Sequence, residues 1–148
     1  MKGNTVHMEE IKDFIVDVGD DNLVVSLSDT SEKISLRGVV VEHGFSVPAI
    51  GTLWLTSDDS PYEETLHISL VDKDLKLIEQ VELYKPYTPG VLKDVVANDN
   101  SIQFEFWQGV FHQVTIENQK KLRFSRFFPQ AGCHYSNKFE ASYLTISK

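Results

Sequence analysis

Five histidines and one cysteine are the side chains of this sequence that most readily act in catalysis or bind metal ions. They are His7, His43, His67, His112, His134 and Cys133. The histidines show no recognised metal-ligand spacing, such as two of them four residues apart on one helix. Cys133 and His134 are adjacent, and adjacent strand residues point to opposite faces of a sheet. A nucleophile–base pair would therefore have to be assembled by the tertiary structure.

Paired carboxylates are a second source of chemistry. Glycoside hydrolysis needs two carboxyl groups about 5 to 9.5 Å apart, and Glu105 with Glu117 or Glu42 are the candidates. However, Glu105 lies between two phenylalanines, a pattern typical of the solvated face of a strand. The acidic turns also lack the spacing of a calcium loop. We therefore predict no catalytic residue, no metal site and no cofactor, and an enzyme with a His/Glu/Cys cluster stays an alternative.

Nucleic acid and membranes are unfavourable partners for this chain. The formal net charge is −8, and no run approaches the roughly 18 apolar residues of a membrane helix. Residues 120–128 do interleave basic and aromatic side chains, as single-strand binding surfaces do. An edge strand with a charged outer face has the same pattern. We therefore expect neither nucleic-acid nor membrane binding, and the oligomeric state stays open.

The distribution of charge gives the main indication of function. Of the 22 acidic residues 21 precede residue 118, with 8 of the 14 lysines and arginines, which leaves −13 in residues 1–117 and +5 beyond them. Such a negative surface attracts basic proteins. The segment at residues 57–64 concentrates acids around a tyrosine, as protein interfaces often do. The predicted partner-binding residues are Asp58, Asp59, Tyr62, Glu63, Glu64, Asp20, Asp21 and Trp54.

A small, acidic chain of this kind is similar, in profile only, to bacterial immunity proteins that neutralise nuclease toxins. The similarity implies a non-catalytic, protein-binding antagonist of a basic, toxin-like partner. It also implies a cytoplasmic location, which the single cysteine fits. The main alternative is a carbohydrate- or small-ligand-binding β-sandwich or barrel, because closed barrels of this length can hold an apolar ligand.

The elements that would position these residues are strands. Apolar and polar residues alternate in several segments, including residues 66–70, 102–106 and 110–116, and this period of two predicts half-buried strands. We predict an all-β, mainly antiparallel sandwich or flattened barrel of about 8–10 strands. Residues 1–148 would form a single domain, with residues 1–8 as a disordered or added arm.

Four details of this pattern are ambiguous. Residues 75–84 fit a strand or a helix, and we favour the strand because residues 72–74 resemble a hairpin tip. Residues 88–97 predict the one short helix, since Thr88 and Pro89 suit a helix start. His112 shares the apolar face of its strand, and we favour an interior role for it. Trp54 lies between two leucines and would be an outward-facing anchor or part of a two-sided core.

Overall fold

The computed structural model describes residues 8–20, 22–27, 31–122, 129–136 and 141–148. These residues form antiparallel strands and no helix. The strands are β1 (Glu9–Glu10), β2 (Phe14–Val18), β3 (Asn22–Leu27), β4 (Lys33–Arg37), β5 (Val40–Val47), β6 (Gly51–Ser57), β7 (Leu66–Asp72), β8 (Leu77–Leu83), β9 (Lys93–Ala97), β10 (Ser101–Glu105), β11 (Phe111–Lys121), β12 (Cys133–Tyr135) and β13 (Ser142–Ser147). The predicted all-β class is confirmed. The structure has more strands than the expected 8–10, because it includes very short ones such as β1 and β12.

The described strands form three sheets. The largest has the order β1-β5-β6-β7-β8-β12, the second β13-β11-β10-β9, and the third β2-β3-β4. We call them the central, four-stranded and three-stranded sheets. None of the three closes into a barrel. The described strands therefore form a layered, sandwich-like arrangement and do not close into the barrel that was the other version of the prediction.

The central sheet is covered on both faces. Toward the four-stranded sheet, Leu53, Leu55 and Ile68 pack with Phe104 and other apolar residues in the main core. Toward the three-stranded sheet, a second cluster forms, whose buried members are Leu23, Val25, Ile34, Leu36, Trp54 and Val71. Alternate residues of β6 thus enter different cores, because successive side chains of a strand point to opposite faces.

Trp54 belongs to this second core. Its side chain is 0% exposed, and its ring meets Phe14 edge-on at a centroid distance of 5.3 Å. Its cross-strand partner is Gly44, where a β-carbon would collide with the indole ring. The two-sided core, one of the two expectations for Trp54, is therefore the arrangement found.

The two ambiguous segments both form strands. Residues 72–76 make a tight hairpin, in which Leu75 N–H donates to Asp72 O at 3.1 Å, and β8 follows it, as predicted. The helix predicted for residues 88–97 is wrong: Lys93–Ala97 is β9, the edge strand that pairs with β10. Valines at positions 95 and 96 favour a strand, and pairing with β10 outweighs the helix-start signal at Thr88.

Glu79 joins the central sheet to the four-stranded sheet. On β8 it lies opposite Leu70, on the core face, and only 2% of the residue is exposed. Its carboxylate accepts hydrogen bonds from the backbone N–H groups of Tyr143 and Leu144 on β13. A buried carboxylate is tolerated where donors surround it, so the glutamate that breaks the apolar pattern of β8 acts as a cross-layer link.

The proposed boundaries of the domain need one adjustment. Met8 is buried in the main core, so it is not part of a loose arm, while residues 1–7 lie outside the described residues. Alternation in the sequence also predicts strands at residues 122–127 and 139–146, which fall partly outside the described residues as well. The sequence further predicts a long loop at residues 128–137, but within it Cys133–Tyr135 pairs with β8 as β12.

The link through Glu79 can be tested by substitution. We expect Glu79→Ala to lower the free energy of unfolding by about 2–4 kcal/mol, because two backbone N–H groups lose their charged acceptor. Urea denaturation of the two proteins measures the change. Glu117→Ala is the control, with an expected effect of at most about 0.5 kcal/mol, since Glu117 lies at a partly exposed strand position. Equal effects of the two substitutions would contradict the assigned role.

Candidate functional site

The loop after β6 is held in shape by a buried carboxylate. Glu64 accepts hydrogen bonds from the backbone N–H groups of Asp58 at 2.6 Å, Ser60 at 2.9 Å and Thr65 at 3.1 Å. A carboxylate that accepts several backbone N–H bonds fixes the path of a loop. The side chain of Glu64 is therefore used internally, and the prediction that it contacts a partner is corrected: the residue is only 6% exposed.

Glu63 ties this first loop to the loop that follows β8. Its carboxylate accepts a hydrogen bond from the Tyr84 hydroxyl and one of 2.8 Å from the backbone N–H of Tyr87. The bond from Tyr84, followed by that from Tyr87, lowers the pKa of Glu63 below its ordinary 4.5. The same bond to Glu63 raises the pKa of Tyr84. The two loops therefore form one connected unit.

Two tyrosine side chains project from this unit. Tyr62 is 85% exposed and Tyr87 is 90% exposed. Tyr87 also has a positive φ of 56°, a conformation that costs a bulky residue about 1–3 kcal/mol. Its N–H bond to Glu63 helps to hold that conformation. The half-exposed Val91 adds apolar surface on the second loop. We call Tyr62, Tyr87 and Val91 the tyrosine face.

Acidic side chains adjoin the tyrosine face. A shallow pocket of about 140 Å³ lies between the two loops, and its lining includes Glu42, Asp59, Pro61 and Val91. The Glu42 carboxylate accepts a 2.7 Å hydrogen bond from the Ser57 hydroxyl. Exposed aromatic rings beside carboxylates suit contact with a cationic surface.

Beyond Asp58 lies a larger cleft. It has a volume of about 660 Å³ and is lined by Asp20, Asn22, Arg37, Gly38, Val39, Asp58 and His67. The His67 side chain is only 6% exposed, and its Nε2 lies 2.8 Å from Asp58 Oδ1. Its Nδ1 lies 2.8 Å from Glu82 Oε2, so the imidazole ring lies between two carboxylates.

The predicted partner-binding residues are thus divided by the structure. Asp58, Asp59, Tyr62 and Glu63 lie on one loop, and Asp20 lines the cleft next to Asp58. Asp21 lies outside the described residues. Trp54 requires correction as an anchor, because it is enclosed in the second core. Of the loop acids, Asp59 stays largely exposed, while Asp58, Glu63 and Glu64 each hold a neighbouring group.

The negative charge of the chain is not confined to this end. Asp72 pairs with Gly51 at the opposite end of the central sheet, and Asp99 and Glu117 line another pocket there. Acidic side chains therefore lie at both ends of the central sheet. What distinguishes the loop end is the combination of acids with exposed, anchored tyrosines.

Two residues of this site, Tyr87 and His67, were not among the predicted partner-binding residues, and His67 was considered only as one of the five histidines. Tyr87 follows a strand and a proline, and nothing in its spacing shows that Glu63 binds its backbone. His67 alternates with leucine and isoleucine on β7, which marks its face as the one opposite Leu66 and Ile68. Its partner Glu82 lies directly across on β8. Only the pairing of β7 with β8 shows that His67 and Glu82 are neighbours.

The other chemically capable residues are spread over the fold. Among the described residues His43 contacts Glu10 at 2.8 Å, while Cys133 is buried on β12 and Glu105 accepts a bond from Gly109 N–H. Of the His, Cys and Glu candidates, His67 is the one that lines the large cleft. Within the described ranges, no three His, Cys, Asp or Glu side chains are arranged to hold a metal ion.

His112 has an interior position. Its ring stacks on Phe104 with centroids 5.7 Å apart and meets Trp107 edge-on at 5.4 Å. Burial, with smaller contributions from Lys148 and Lys85, lowers its pKa from 6.5 to about 4. The imidazole is therefore neutral at physiological pH, in agreement with the interior role favoured from the sequence.

Comparison with known proteins identifies no relative: no family model, curated protein or solved structure matches the chain. In the described part of the chain no helix is long and apolar enough to cross a membrane. The function must therefore be argued from the geometry of the site.

The pKa of His112 predicts a pH dependence of stability. A base with a lowered pKa in the folded state stabilises the protein fully above its unfolded pKa, here 6.5, and loses that contribution as the pH falls to about 4. Relative to His112→Leu, we expect wild type to lose on the order of 3 kcal/mol between pH 7 and pH 4. Urea denaturation at several pH values measures it. Parallel stability curves for the two proteins would contradict the prediction.

The link between the loops predicts a second effect. Tyr84→Phe removes the hydroxyl that donates to Glu63, so the pKa of Glu63 should rise toward 4.5. Titration of the Glu63 side chain by NMR measures this. In Tyr62→Phe, which removes an exposed hydroxyl next to Glu63 in the chain, the pKa should not change. An unchanged Glu63 titration in Tyr84→Phe would show that the contact does not persist in solution.

Proposed function

We propose that this protein is a non-catalytic binding module that captures a basic protein partner through the tyrosine face. The observation that carries the proposal is the pair Tyr62 and Tyr87, which are 85% and 90% exposed on loops fixed from within by Glu63 and Glu64. Large exposed aromatic side chains on a rigid support are typical of the residues that contribute most to protein interfaces.

The rigidity of the loops is favourable for affinity. Ordering loops on association costs free energy, about 0.5–1.5 kcal/mol for each flexible side chain that is immobilised. Here the backbone of the first loop is fixed by Glu64 and that of the second by Glu63. A tyrosine also loses little conformational entropy when it docks. The loops of the tyrosine face are therefore preorganised for binding.

The negative charge of the chain supports the proposal that the partner is basic. The chain has a net charge of −8, and Asp59 and Glu42 adjoin the tyrosine face. A negative surface raises the association rate of a cationic protein and disfavours anionic ones. A nuclease toxin presents a basic groove to its substrate, and a protein that covers such a groove would block it. Inhibition of a toxin of this kind, in the bacterial cytoplasm, is the specific form of the proposal.

The test begins with the partner itself. The wild-type protein, immobilised at low salt, should retain a basic protein from lysate of its source cells, which mass spectrometry identifies. With that protein purified, the association rate constant should fall roughly tenfold or more between about 0.05 M and about 0.5 M NaCl. A salt-independent association rate would contradict the proposed electrostatic attraction.

Substitutions then locate the surface. We expect Tyr62→Ala and Tyr87→Ala each to weaken binding by about 30-fold, as the loss of a major interface contact of about 2 kcal/mol does. Leu77→Ala is the matched control, because Leu77 is an exposed apolar residue at the opposite end of the central sheet. If Leu77→Ala weakens binding and the tyrosine variants do not, the partner uses another surface.

A further inference from the structure

The three-stranded sheet ends on one side at β2, whose outer edge is unpaired. In the hairpin that joins β2 to β3, Gly19 N–H donates to Asn22 O at 2.8 Å. Backbone groups alternate along an antiparallel pair, so residues 15 and 17 direct theirs toward β3. The groups of the alternate residues point outward, and these residues are Phe14, Val16 and Val18. Within the described ranges none of these outward groups has a hydrogen-bond partner.

The other sheet edges are less suited to accept a strand. The edge strand β9 is interrupted by a register shift and by Asp94, which has a positive φ of 55°. On β4, Arg37 O already accepts a hydrogen bond of 2.6 Å from the Thr56 hydroxyl. On β13, Ile146 O accepts one from Gln130. The edge strands β1 and β12 have only two and three residues. Irregular, short or covered edges resist pairing, so β2 is the regular open edge of the described chain.

Apolar side chains are exposed along this edge. Val18 lies opposite the buried Leu23, on the face of β2 that meets the second core, yet it is 61% exposed. Phe14 and Val16 share that face and are partly buried against the same core. Ile15 points to the opposite face and is 65% exposed. The core side of the β2 edge is therefore an apolar strip, and an open edge with such a strip is a site for pairing with another strand.

We propose that the β2 edge binds the β2 edge of a second copy of this chain. The two strands would run antiparallel about a two-fold axis at Val16, and two three-stranded sheets would become one sheet of six strands. The outward backbone groups of both copies would then meet and form about six hydrogen bonds. Phe14 of each copy would face Val18 of the other, and the two Val16 side chains would face each other. The apolar strip would thus continue from one copy into the next.

The acidic residues of β2 select this register. With the axis at Val16, Asp17 of each copy faces Ile15 of the other. An axis at Ile15 would place Asp17 opposite Asp13, and an axis at Asp17 would place this residue opposite its own copy. Like charges that lie directly opposite each other destabilise a strand pair. In the proposed register no acidic residue of the strand faces another, and Lys12 is brought toward Asp20 of the other copy.

The size of the contact sets the strength of the proposed dimer. β2 has five residues, and stable protein complexes bury about 1,200–2,000 Å², more than one such strand pair. Each copy also carries a net charge of −8, which opposes association. We therefore expect a dissociation constant on the order of 100 μM. Because β2 of both copies is used, the contact is self-complementary and association stops at the dimer. This inference is independent of the proposed function.

The association can be measured on the intact wild-type protein. Sedimentation equilibrium from about 10 μM to about 1 mM protein, in about 0.15 M NaCl, should show a change from monomer to dimer. Over the same range, hydrogen exchange followed by NMR should slow at the amides of Phe14, Val16 and Val18. The amides of Ile15 and Asp17 should not change, because they already bond to β3. A monomer at every concentration, or a dimer that leaves the first three amides unprotected, would overturn the proposal.

Matched substitutions locate the contact. Val18→Lys should raise the dissociation constant of the dimer by about tenfold or more, because it places a charge in the apolar strip. Val96→Lys is the control, since Val96 is a 52% exposed valine on the other long edge, β9. It adds the same charge and should change the dissociation constant by less than about twofold. Urea denaturation verifies that both variants fold. Equal effects of the two substitutions would overturn the assigned edge.

A third variant tests the register. Ile15→Lys places a lysine opposite Asp17 of the other copy, so the dimer should be at least as tight as in wild type. Weaker association of this variant would overturn the register with its axis at Val16.

The dimer and the proposed function can fail separately. Tyr62→Ala and Tyr87→Ala should leave the dimer unchanged, so a dimer that persists while partner binding ignores these tyrosines would overturn only the tyrosine face. If the chain stays monomeric at about 1 mM and Val18→Lys weakens binding of the basic partner, the β2 edge receives a strand of that partner. The proposed pairing with a second copy would then be wrong.

Discussion

The burial of both faces of β6 and β7 is the constraint on which the rest of the structure depends. Leu53, Leu55 and Ile68 enter the main core on one side, and Trp54 and Val71 enter the second core on the other. A slip of one residue in this pairing would exchange the two sets of side chains. The register of β6 with β7 is therefore tightly specified, and it sets where the flanking loops begin and end.

That register also places the polar residues at one end of the central sheet. On the face toward the three-stranded sheet, Thr56, His67 and Glu82 lie directly opposite one another on β6, β7 and β8. The apolar second core does not extend to them, and the cleft occupies this position. The first loop begins just beyond, so the cleft and the tyrosine face are both consequences of where the packed part of the sheet ends.

Several carboxylates stabilise the fold in addition to carrying negative charge. Glu79 connects two layers, Glu64 shapes the first loop, and Glu63 joins it to the second. Each does so by accepting hydrogen bonds from backbone N–H groups, and hydrogen bonds to a charged acceptor are stronger than neutral ones. The net charge of the chain therefore overstates the negative surface that a partner would meet. Side chains such as Asp59 and Asp20, which make no hydrogen bond or ion pair with another described residue, represent that surface better.

Much of the fold could be read from local patterns. The period of two in β10 and β11 predicted strands, because a half-buried strand exposes alternate side chains to water. The same period identified β7 as a strand, although the structure buries both of its faces. The helix predicted at residues 88–97 was wrong, since the helix-start signal of Thr88 and Pro89 does not show that β9 pairs with β10. The site was only partly predictable. Asp58, Asp59, Tyr62 and Glu63 were proposed as partner-binding residues because they are clustered in the chain. Tyr87 was not proposed, and His67 was considered only as one of the histidines that could act in catalysis or bind metal.

The sequence by itself determined the all-β class, the acidic character and the loop that carries Tyr62, because composition, alternation and turn residues are properties of neighbouring positions. Only the tertiary structure decided that Trp54 is enclosed, that Glu64 points inward and that Glu63 joins the loop of Tyr62 to the loop of Tyr87. The positions of Trp54 and of the two loops depend on contacts between residues far apart in the chain, whereas Glu64 is held by residues of its own loop. Whether a carboxylate or an aromatic ring meets water is settled by what packs against it.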